Sequence, residues 1–267
     1  MYLTIPSQPD CCRAWLAAVQ GVRAETGNEA INVILDVSEP VVSEGSSAAI
    51  IPLVEHFLSE AGVKPLTTVA NTIFPSGIYQ RHGRAGLYDA FHNRLLPKVR
   101  KSCNWTGYYF ERMTAHVCAD GESINPLDDI IRRLGDSAVK ARHKFELTMF
   151  DPTLDISTFD PGRDLNDSPY GGQCLSHLSF KVVGKNKRLS LTAYYRNHYY
   201  IEKLLGNLIG LTELLRYVAK EAGLQAGSLT ILSGHAVIDT PRDKKMRDVD
   251  QLISNASEAI KLDNAEA

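Results

Sequence analysis

Three side chains in the second half of the chain have types and positions that could carry out chemistry: Cys174, Arg196 and Asn207. Cys174 lies beside an apolar run, and a cysteine becomes a nucleophile when a neighbouring guanidinium stabilises its thiolate. Arg196 follows an aromatic-rich segment, and a guanidinium can form two parallel hydrogen bonds with phosphate oxygens. The Asn207 amide carries both a hydrogen-bond donor and an acceptor.

Each of these residues also has a structural interpretation, which the sequence alone leaves open. A cysteine beside an apolar strand is commonly a small core residue. An arginine at the end of a strand is commonly a surface residue, and an asparagine at the start of a helix is commonly its N-cap.

The second half of the chain predicts a succession of strands around one long helix. Alternating or β-branched segments predict strands over Phe145–Phe150, Leu178–Val183, Arg188–Tyr195 and Leu229–Ser233, of which the middle two form a hairpin. Leucines at helical spacing predict the helix, which ends at Gly223. Strands followed by a buried helix and a further strand favour an α+β fold.

The first half is less regular. The spacing of apolar residues predicts helices over Ala14–Arg23 and Ala48–Ala61, and a β-branched run predicts a strand over Ile31–Val37. A further helix is predicted to begin at Asn125-Pro126. The segment Lys64–Arg84 has no clear period and is predicted to be rich in loops.

Length and composition indicate a single globular domain. The 267 residues, 44% of them hydrophobic, can bury a substantial core, and we expect one domain over residues 1–267. Residues 1–10 and 255–267 are predicted to be flexible termini. Residues 151–172 are rich in Asp, Pro, Ser and Gly, and predict a long excursion from the fold.

The charge balance and the cysteine content exclude several classes of protein. The chain has 29 Lys and Arg against 31 Asp and Glu, so bulk charge gives no reason to expect nucleic-acid or membrane binding. The basic runs Lys98–Lys101 and Arg242–Arg247 are interpreted as solvated surface. Five cysteines without a C-x-x-C pair predict neither a disulfide framework nor a metal site. With no apolar run of about 18 residues and no secretory segment, a cytoplasmic location is expected.

The region from Cys174 to Asp239 resembles thymidylate synthase, in particular the shorter archaeal-type enzymes. The resemblance is carried by QCLSHLSFKV, RLSLTAYYRN and GNLIGLTELLRYVAKEAGLQAGSLTILSGHAVI. Weaker likeness covers Ala14–Val37, Thr106–Met113 and Arg142–Asp151. The family's fold is a mixed sheet flanked by helices, and its members dimerise through that sheet.

The resemblance implies covalent chemistry on a pyrimidine nucleotide. Cys174 would add to C6 of the base, so that C5 can accept a one-carbon unit from 5,10-methylenetetrahydrofolate. Arg196 would stabilise the thiolate and bind the phosphate, and Tyr109 matches the family's active-site tyrosine. Asn207 would pair with the O4 and N3 edge of the base, which favours uracil over cytosine.

Further substrate-binding residues follow from the same resemblance. Asn197 stands where the family has a phosphate-binding serine, and Arg112 follows the family pattern after Tyr109. Arg142, His143 and Lys144 occupy the place of an arginine pair that binds the phosphate in the neighbouring subunit, which implies a homodimer. The alternatives are a buried tyrosine with a hydrogen-bonded hydroxyl at position 109 and an ordinary charged strand entry at 142–144.

Several family residues are replaced in this chain. The aspartate that helps fix folate is Tyr199, and the histidine and tyrosine that hold the sugar hydroxyl are Val237 and Asp239. The proton-handling glutamate of an early helix is Leu53, with Glu55 two places away. The phosphate loop with the pattern Arg-Thr-Gly has only a faint counterpart at 23–27.

The sequence therefore predicts transfer of a methyl or hydroxymethyl group to C5 of a pyrimidine nucleotide, with the uracil base preferred. Two alternatives remain open. The loss of family residues favours a nucleotide-binding or regulatory protein without catalysis. The replacement of the sugar-binding residues by Val237 and Asp239 favours an enzyme that acts on a different nucleotide-like substrate.

Overall fold

A computed structural model describes residues 2–101, 108–140, 142–150, 173–184 and 187–264 of the protein. The predicted excursion over residues 151–172 lies outside the described residues, as do Thr106 and Gly107 of the segment with weaker family likeness.

A mixed, seven-stranded sheet forms the centre of the described fold. Its strands are β1 (Leu3–Thr4), β2 (Glu29–Val37), β5 (Glu146–Thr148), β6 (Leu175–Val183), β7 (Arg188–Tyr195), β8 (His198–Tyr199) and β9 (Gln225–Val237). The order is β1-β2-β9-β7-β6-β5, and β8 also pairs with β9. The pairs β1–β2, β7–β9 and β8–β9 are parallel and the others antiparallel. A separate hairpin consists of β3 (His116–Val117) and β4 (Ser123–Ile124).

Helices surround this sheet. They are α1 (Cys11–Arg23), α2 (Ile50–Glu60), α3 (Leu66–Ile73), α4 (Ser76–Asp89), α5 (Leu96–Val99), α6 (Tyr109–Thr114), α7 (Pro126–Gly135), α8 (Leu204–Glu221) and α9 (Met246–Asn264). A π-helical segment, Ala90–Leu95, joins α4 to α5, and short 3-10 turns cover Thr26–Asn28, Gly45–Ala49 and Arg142–Lys144. None of the described helices is long and apolar enough to span a bilayer.

The core lies between one face of the sheet and the helices α1 and α8. Side chains alternate along a strand, so every second residue of β2, β7 and β9 points to this face; Leu35, Leu191 and Ile231 are examples, each 1% exposed. Trp15 of α1 is fully buried, and its indole nitrogen donates a hydrogen bond of 3.0 Å to the carbonyl of Tyr200. The two helices thus fix the position of the chain that follows β7.

The opposite face of the sheet carries an apolar row. Ile34, Leu232 and Tyr194 are neighbours in register on β2, β9 and β7. Ile34 is 37% exposed and Tyr194 38% exposed. The helices α1 and α8 pack on the other face, so this row faces away from the core.

The predicted loop-rich segment Lys64–Arg84 is helical, and that prediction was wrong. Its helix α3 packs closely against α8, where Gly206 and Gly210 leave no side chain between the two backbones. A Cβ atom at Gly210 would lie 2.7 Å from the carbonyl oxygen of Ala70, and one at Gly206 would lie 2.7 Å from Val69. Tertiary packing stabilises this short helix, whose buried residues Leu66, Val69, Ala70 and Ile73 share one face at helical spacing.

The segments expected to be flexible termini, 1–10 and 255–267, include secondary structure within the described residues. Near the start, β1 joins the sheet, and the fully buried Asp10 caps α1 by accepting a hydrogen bond from the Arg13 amide. Near the end, α9 continues to Asn264, and its Ala256 is fully buried. The flexibility of these segments stays a prediction.

The remaining elements that were predicted are present. The mixed sheet with flanking helices is confirmed, and so are the β6–β7 hairpin and the helix that begins at Pro126, whose N-cap is Asn125. Their bounds differ by a few residues: β5 is shorter than predicted and β9 longer, because β9 pairs with β7 before the predicted start and with β2 beyond the predicted end.

Candidate active site

A cavity of about 630 Å³ opens beside Cys174, the residue that precedes β6. Its walls come from the ends of β6 and β7, the start of α8, and α3 with the loop before it. Four of the residues predicted from the sequence line it together, namely Tyr109, Cys174, Asn197 and Asn207. The other lining residues are Gly62, Val63, Lys64, Thr68, Val69, Thr72, Gln173, Tyr195, His198, Tyr199, Glu202, Lys203 and Arg242.

Cys174 is half-buried at the cavity wall, immediately before β6. The register of β6 against β7 shifts between Leu175 and His177, which places a bulge next to the cysteine. A bulge of this kind turns neighbouring side chains relative to the regular pleat. The Cys174 carbonyl accepts a hydrogen bond of 2.9 Å from the Arg196 amide, so the ends of the two strands are held together.

The electrostatics at the Cys174 sulfur combine opposing effects. Burial raises the pKa of the thiol, while a hydrogen bond and the positive charge of Arg196, together with the charge of Lys203, lower it. Burial is the largest of these effects, and the net result is a pKa above the ordinary value. Arg196 therefore contacts the sulfur and opposes the effect of burial on the thiol, and the role of Cys174 as a nucleophile stays a prediction.

Tyr109, at the start of α6, orients the backbone around the cysteine. Its phenolic oxygen accepts hydrogen bonds from the amides of Cys174, at 3.1 Å, and Leu175, at 3.2 Å. Burial raises the pKa of Tyr109 to about 12, although these two amides and Arg112 oppose the shift. Tyr109 is thus a neutral phenol that lines the cavity and also anchors the start of β6.

Asn207 lies in the first turns of α8 and is 5% exposed. The N-cap position of this helix belongs to Lys203, so the structural interpretation of Asn207 as an N-cap is wrong. Its amide nitrogen lies 2.9 Å from Nε2 of His198, which is itself buried.

Asn197 lines the cavity at the end of β7. Its side-chain oxygen lies 2.8 Å from Nδ1 of His235, and Nε2 of the same histidine lies 3.1 Å from Glu29. This arrangement holds the Asn197 amide beside the cavity.

The remaining predicted residues do not line this cavity. Arg112 donates a hydrogen bond to the carbonyl of Met149, after β5. Arg142, His143 and Lys144 form the 3-10 turn before β5, and the side chains of His143 and Lys144 are exposed. Their predicted role at the site of a neighbouring subunit stays a prediction.

Three cations at the cavity were missed by sequence reasoning: Lys64, Lys203 and Arg242. Arg242 belongs to the basic run that was interpreted as solvated surface, and its guanidinium reaches over Gly62, where a Cβ atom would lie 3.1 Å from it. Lys203 precedes Asn207 by one helical turn, and this spacing was a signal that could have identified it. Arg242 has a positive φ of 48°, a strained conformation for a residue with a side chain.

Tyr199 and Asp239 stand where the family has residues that contact folate and the sugar. The first lines the cavity and the second binds backbone amides. Tyr199 lines the cavity mouth and is 44% exposed. Asp239 accepts hydrogen bonds from the amides of Ile201, at 2.8 Å, and Glu202, at 3.1 Å, and so holds the turn before α8.

Two residues that were compared with the family's proton-handling glutamate and phosphate loop lie away from the cavity. Glu55 accepts a hydrogen bond of 3.1 Å from the amide of Leu66, at the start of α3. Arg23 forms an ion pair of 2.8 Å with Asp250 of α9. Neither side chain is among the residues that line the cavity.

Comparison with known proteins gives a consistent result. The chain is similar to archaeal proteins named "Putative thymidylate synthase". It is 23% identical to the one from Methanothermobacter marburgensis over 253 residues, which are 91% of this chain and 96% of the relative. It is 29% identical to that of Methanothermobacter thermautotrophicus over 161 residues, 60% of this chain and 63% of the relative. For the protein from Methanocaldococcus jannaschii the identity is 30% over 137 residues, 51% of this chain and 57% of the relative.

No family model matches the chain. These identities suggest a divergent, thymidylate-synthase-like protein. Within the part of the chain that the structure describes, no group of three or more His, Cys, Asp or Glu side chains is arranged to hold a metal ion.

Proposed function

We propose that the protein transfers a one-carbon group to C5 of a pyrimidine nucleotide through a covalent adduct between Cys174 and C6 of the base. The observation that carries this proposal is the position of the Cys174 sulfur, which contacts Arg196 and lies in the same cavity as the buried Asn207 amide. The similarity to archaeal proteins named for thymidylate synthase supports it.

The proposed chemistry begins at the sulfur. The Cys174 thiol releases its proton to water and the sulfur bonds to C6, while the electrons of the C5–C6 double bond move towards O4. C5 is then a nucleophile that bonds to the carbon of a one-carbon electrophile, whose carrier leaves with the electron pair of the broken bond, and C5 releases its own proton to water. Elimination of the sulfur restores the double bond and the free cysteine. Arg196 favours the first step because its charge opposes the effect of burial on the thiol.

The cations of the cavity support an anionic substrate. Arg196 contacts the sulfur, and Lys64, Lys203 and Arg242 line the wall. Among the described residues, Lys64 and Arg242 form no ion pair with a carboxylate, so their charges can act on a ligand phosphate. Lys203 is paired with the neighbouring Glu202.

The one-carbon donor is less well supported. In the family resemblance, the folate contact is an aspartate at the position of Tyr199, and a phenol cannot supply that carboxylate. Glu202 is the one carboxylate among the described residues that line the cavity, and it is paired with Lys203. The residues present do not reproduce the expected contact with 5,10-methylenetetrahydrofolate, so no step is assigned to that molecule.

We also propose that the active form is a homodimer in which the sheets face each other. The apolar row of Ile34, Leu232 and Tyr194 faces away from α1 and α8, and exposed apolar patches commonly mark interfaces. In such a dimer, the turn at Arg142–Lys144 would bring its charges to the partner's cavity.

Fluorinated nucleotides test the covalent step. The protein is incubated with 5-fluoro-dUMP, 5-fluoro-UMP and their cytosine counterparts, with and without methylenetetrahydrofolate, and the product is digested and analysed by mass spectrometry. We expect an adduct on the peptide that contains Cys174. Absence of this adduct under every condition would refute the proposed enzyme.

Two cysteine variants make the adduct test specific. Cys174→Ser should abolish the adduct, because a hydroxyl is a far weaker nucleophile at neutral pH. Cys118→Ser is the matched control, since Cys118 is also a partly exposed free cysteine but does not line the cavity. The control should form the adduct as the unmodified protein does.

A second candidate is a nucleotide-binding protein without catalysis on the same scaffold. The raised pKa of Cys174 favours it, because a thiol attacks C6 poorly. Release of tritium from nucleotides labelled at C5 separates the two candidates. An enzyme that forms the C6 adduct releases the label, whereas a protein that only binds the nucleotide raises its own melting temperature without releasing tritium.

A further inference from the structure

A buried hydrogen-bonded chain leads from the cavity into the core. It begins at Asn207, whose amide nitrogen lies 2.9 Å from Nε2 of His198. Nδ1 of His198 lies 3.0 Å from the hydroxyl of Ser233, which also accepts a hydrogen bond of 3.3 Å from Tyr200. His198 is 1% exposed and Ser233 is fully buried.

Aromatic rings fix the plane of the His198 imidazole. The ring stacks on Tyr195 with centroids 4.1 Å apart and planes inclined by 12°. On another side it meets the ring of Tyr200 edge-on, at 5.5 Å. The imidazole therefore has little freedom to turn, and its two nitrogens point to Asn207 and Ser233.

The atoms in contact determine where the proton of His198 lies. An amide nitrogen can only donate, so Nε2 of His198 must accept and carries no hydrogen. Burial lowers the pKa of His198 to about 3, so the ring is neutral and its single proton is on Nδ1. That N–H donates to Ser233, whose oxygen has the capacity to accept it beside the bond from Tyr200.

We propose that His198 is a positioning residue that fixes the amide orientation of Asn207 and thereby makes the cavity select uracil over cytosine. With its nitrogen bound to His198, Asn207 presents its oxygen and its second N–H to the cavity. This pair matches the N3–H donor and the O4 acceptor of uracil. Cytosine presents an acceptor at N3 and a donor at its amino group, so the same orientation opposes it.

The opposite orientation requires a different proton position. If the amide were turned over, its oxygen would face Nε2, which would then have to carry the proton. Nδ1 would become an acceptor, and Ser233 would have to donate to it. The amide would then present the second lone pair of its oxygen and an N–H to the base, which is the pattern that fits cytosine. The selectivity thus depends on the tautomer of His198, and this inference rests on the proposed function as a pyrimidine-nucleotide site.

Binding measurements test the selectivity. We compare the affinities of dUMP and dCMP for the unmodified protein and for His198→Phe, which retains an aromatic ring against Tyr195 but has no acceptor for Asn207. We expect the preference for the uracil nucleotide to fall about tenfold, the change that one misplaced hydrogen bond produces. An unchanged preference in a folded variant would overturn the inference.

Two further variants separate positioning from folding. His198→Gln provides a side-chain oxygen that can accept the Asn207 N–H, and it should restore most of the preference. Ser233→Ala removes the partner that holds the proton on Nδ1, and it should also reduce the preference for the uracil nucleotide. This variant provides the test if His198→Phe does not fold. A loss of affinity for both nucleotides by the same factor in all variants would contradict a role in base selection.

The nitrogen-15 NMR spectrum of the ligand-free protein tests the tautomer independently. We expect His198 to show a protonated Nδ1 and an unprotonated Nε2 from neutral pH to about pH 4, because its low pKa keeps it neutral there. A proton on Nε2 overturns the inference whether or not nucleotides bind. If the tautomer is as expected but no pyrimidine nucleotide binds, the failure lies in the proposed function.

Discussion

At the scale of single residues, burial and neighbouring charges together determine the pKa values of the side chains in the site. The half-buried Cys174 would have a still higher pKa without the guanidinium of Arg196 and the ammonium of Lys203. The same principle makes His198 a neutral acceptor, since its burial is not compensated by an acidic neighbour. A bound phosphate near Arg196 would weaken the effect of Arg196 on the sulfur, so binding and thiolate formation are electrostatically coupled.

The variant Arg196→Ala tests the effect of the guanidinium on the sulfur. We expect the pKa of Cys174 to rise and the rate of its alkylation by iodoacetamide at pH 8 to fall about tenfold, the effect of one pKa unit. The rate is measured by mass spectrometry on the Cys174 peptide over a range of pH. Arg188→Ala, at the other end of β7, is the control and should leave the rate unchanged. An equal rate in both variants would show that Arg196 does not act on the sulfur.

Asp239 gives a pH dependence whose sign follows from its burial. Its pKa is raised to about 6, chiefly by burial, whereas the unfolded chain has the ordinary value of 3.8. The folded protein therefore holds this proton more tightly, and the resulting stabilisation, complete below pH 3.8, is lost as the pH rises through about 6.

The variant Asp239→Asn should not show this loss, because its amide cannot become charged, although its single oxygen can accept from only one of the two backbone amides that bind the carboxylate. Between pH 4 and pH 7 we expect the unmodified protein to lose on the order of 2 kcal/mol of unfolding free energy that the variant does not lose. Denaturant titrations between pH 4 and pH 7 measure the difference. The exposed Asp243→Asn serves as the control, and parallel profiles for all three proteins would disprove the assignment.

At the scale of elements, the close contact between α3 and α8 shapes the cavity. Gly206 and Gly210 allow the two helices to approach, and this approach brings Thr68, Val69 and Thr72 to the cavity wall. The same helix α8 carries Asn207 at its start, so one contact positions two walls of the site. A shift of α3 would change the cavity without altering any residue that contacts the base.

The variant Gly210→Ala tests this dependence. Its new methyl group would meet the backbone oxygen of Ala70 at 2.7 Å, so one helix must move. We expect a loss of about 1–3 kcal/mol in unfolding free energy, as for other overpacked cores, together with weaker nucleotide binding. Arg216→Ala, an exposed position on the same helix, should have little effect on stability. A fully stable Gly210→Ala with unchanged binding would mean that the helices tolerate a wider spacing.

At the scale of the whole molecule, the helices α1 and α8 cover one face of the sheet, whereas the described residues leave the opposite face partly exposed at Ile34 and Tyr194. That opposite face presents the apolar row of Ile34, Leu232 and Tyr194, whereas the neighbouring row includes Asp36 and Thr230, which are hydrogen-bonded to each other at 2.9 Å. A partner with the same surface could bury the apolar row, and this is the basis of the proposed homodimer.

The variant Ile34→Lys tests the proposed dimer. A lysine in the middle of a buried apolar row would have to lose its hydration on association, so we expect a monomer where the unmodified protein is a dimer. Sedimentation velocity measures the mass of both proteins. Val117→Lys, an exposed apolar position of the separate hairpin, should leave the mass unchanged. A monomeric unmodified protein would refute the dimer directly.

Much of the fold could be predicted because periodicity is strong where one face of an element is buried. The strands β6, β7 and β9 and the helix α8 show this pattern in their sequences. The helix α3 also has one buried face, but it has only eight residues, and its packing depends on the glycines of α8, which are distant in sequence. The prediction of Cys174, Arg196 and Asn207 came from resemblance, whereas the role of His198 needed coordinates, because its partner Ser233 lies on another strand.

The pairing of β2 with β9 has a consequence for how the protein is made. Ile34 and Leu232 are adjacent in the sheet although about 200 residues of chain separate them, and contacts of such long range slow folding. During synthesis β2 leaves the ribosome about 200 residues before β9 and lacks this neighbour in the meantime. The centre of the sheet therefore closes only after β9 has been made, and β2 depends on protection from aggregation until then.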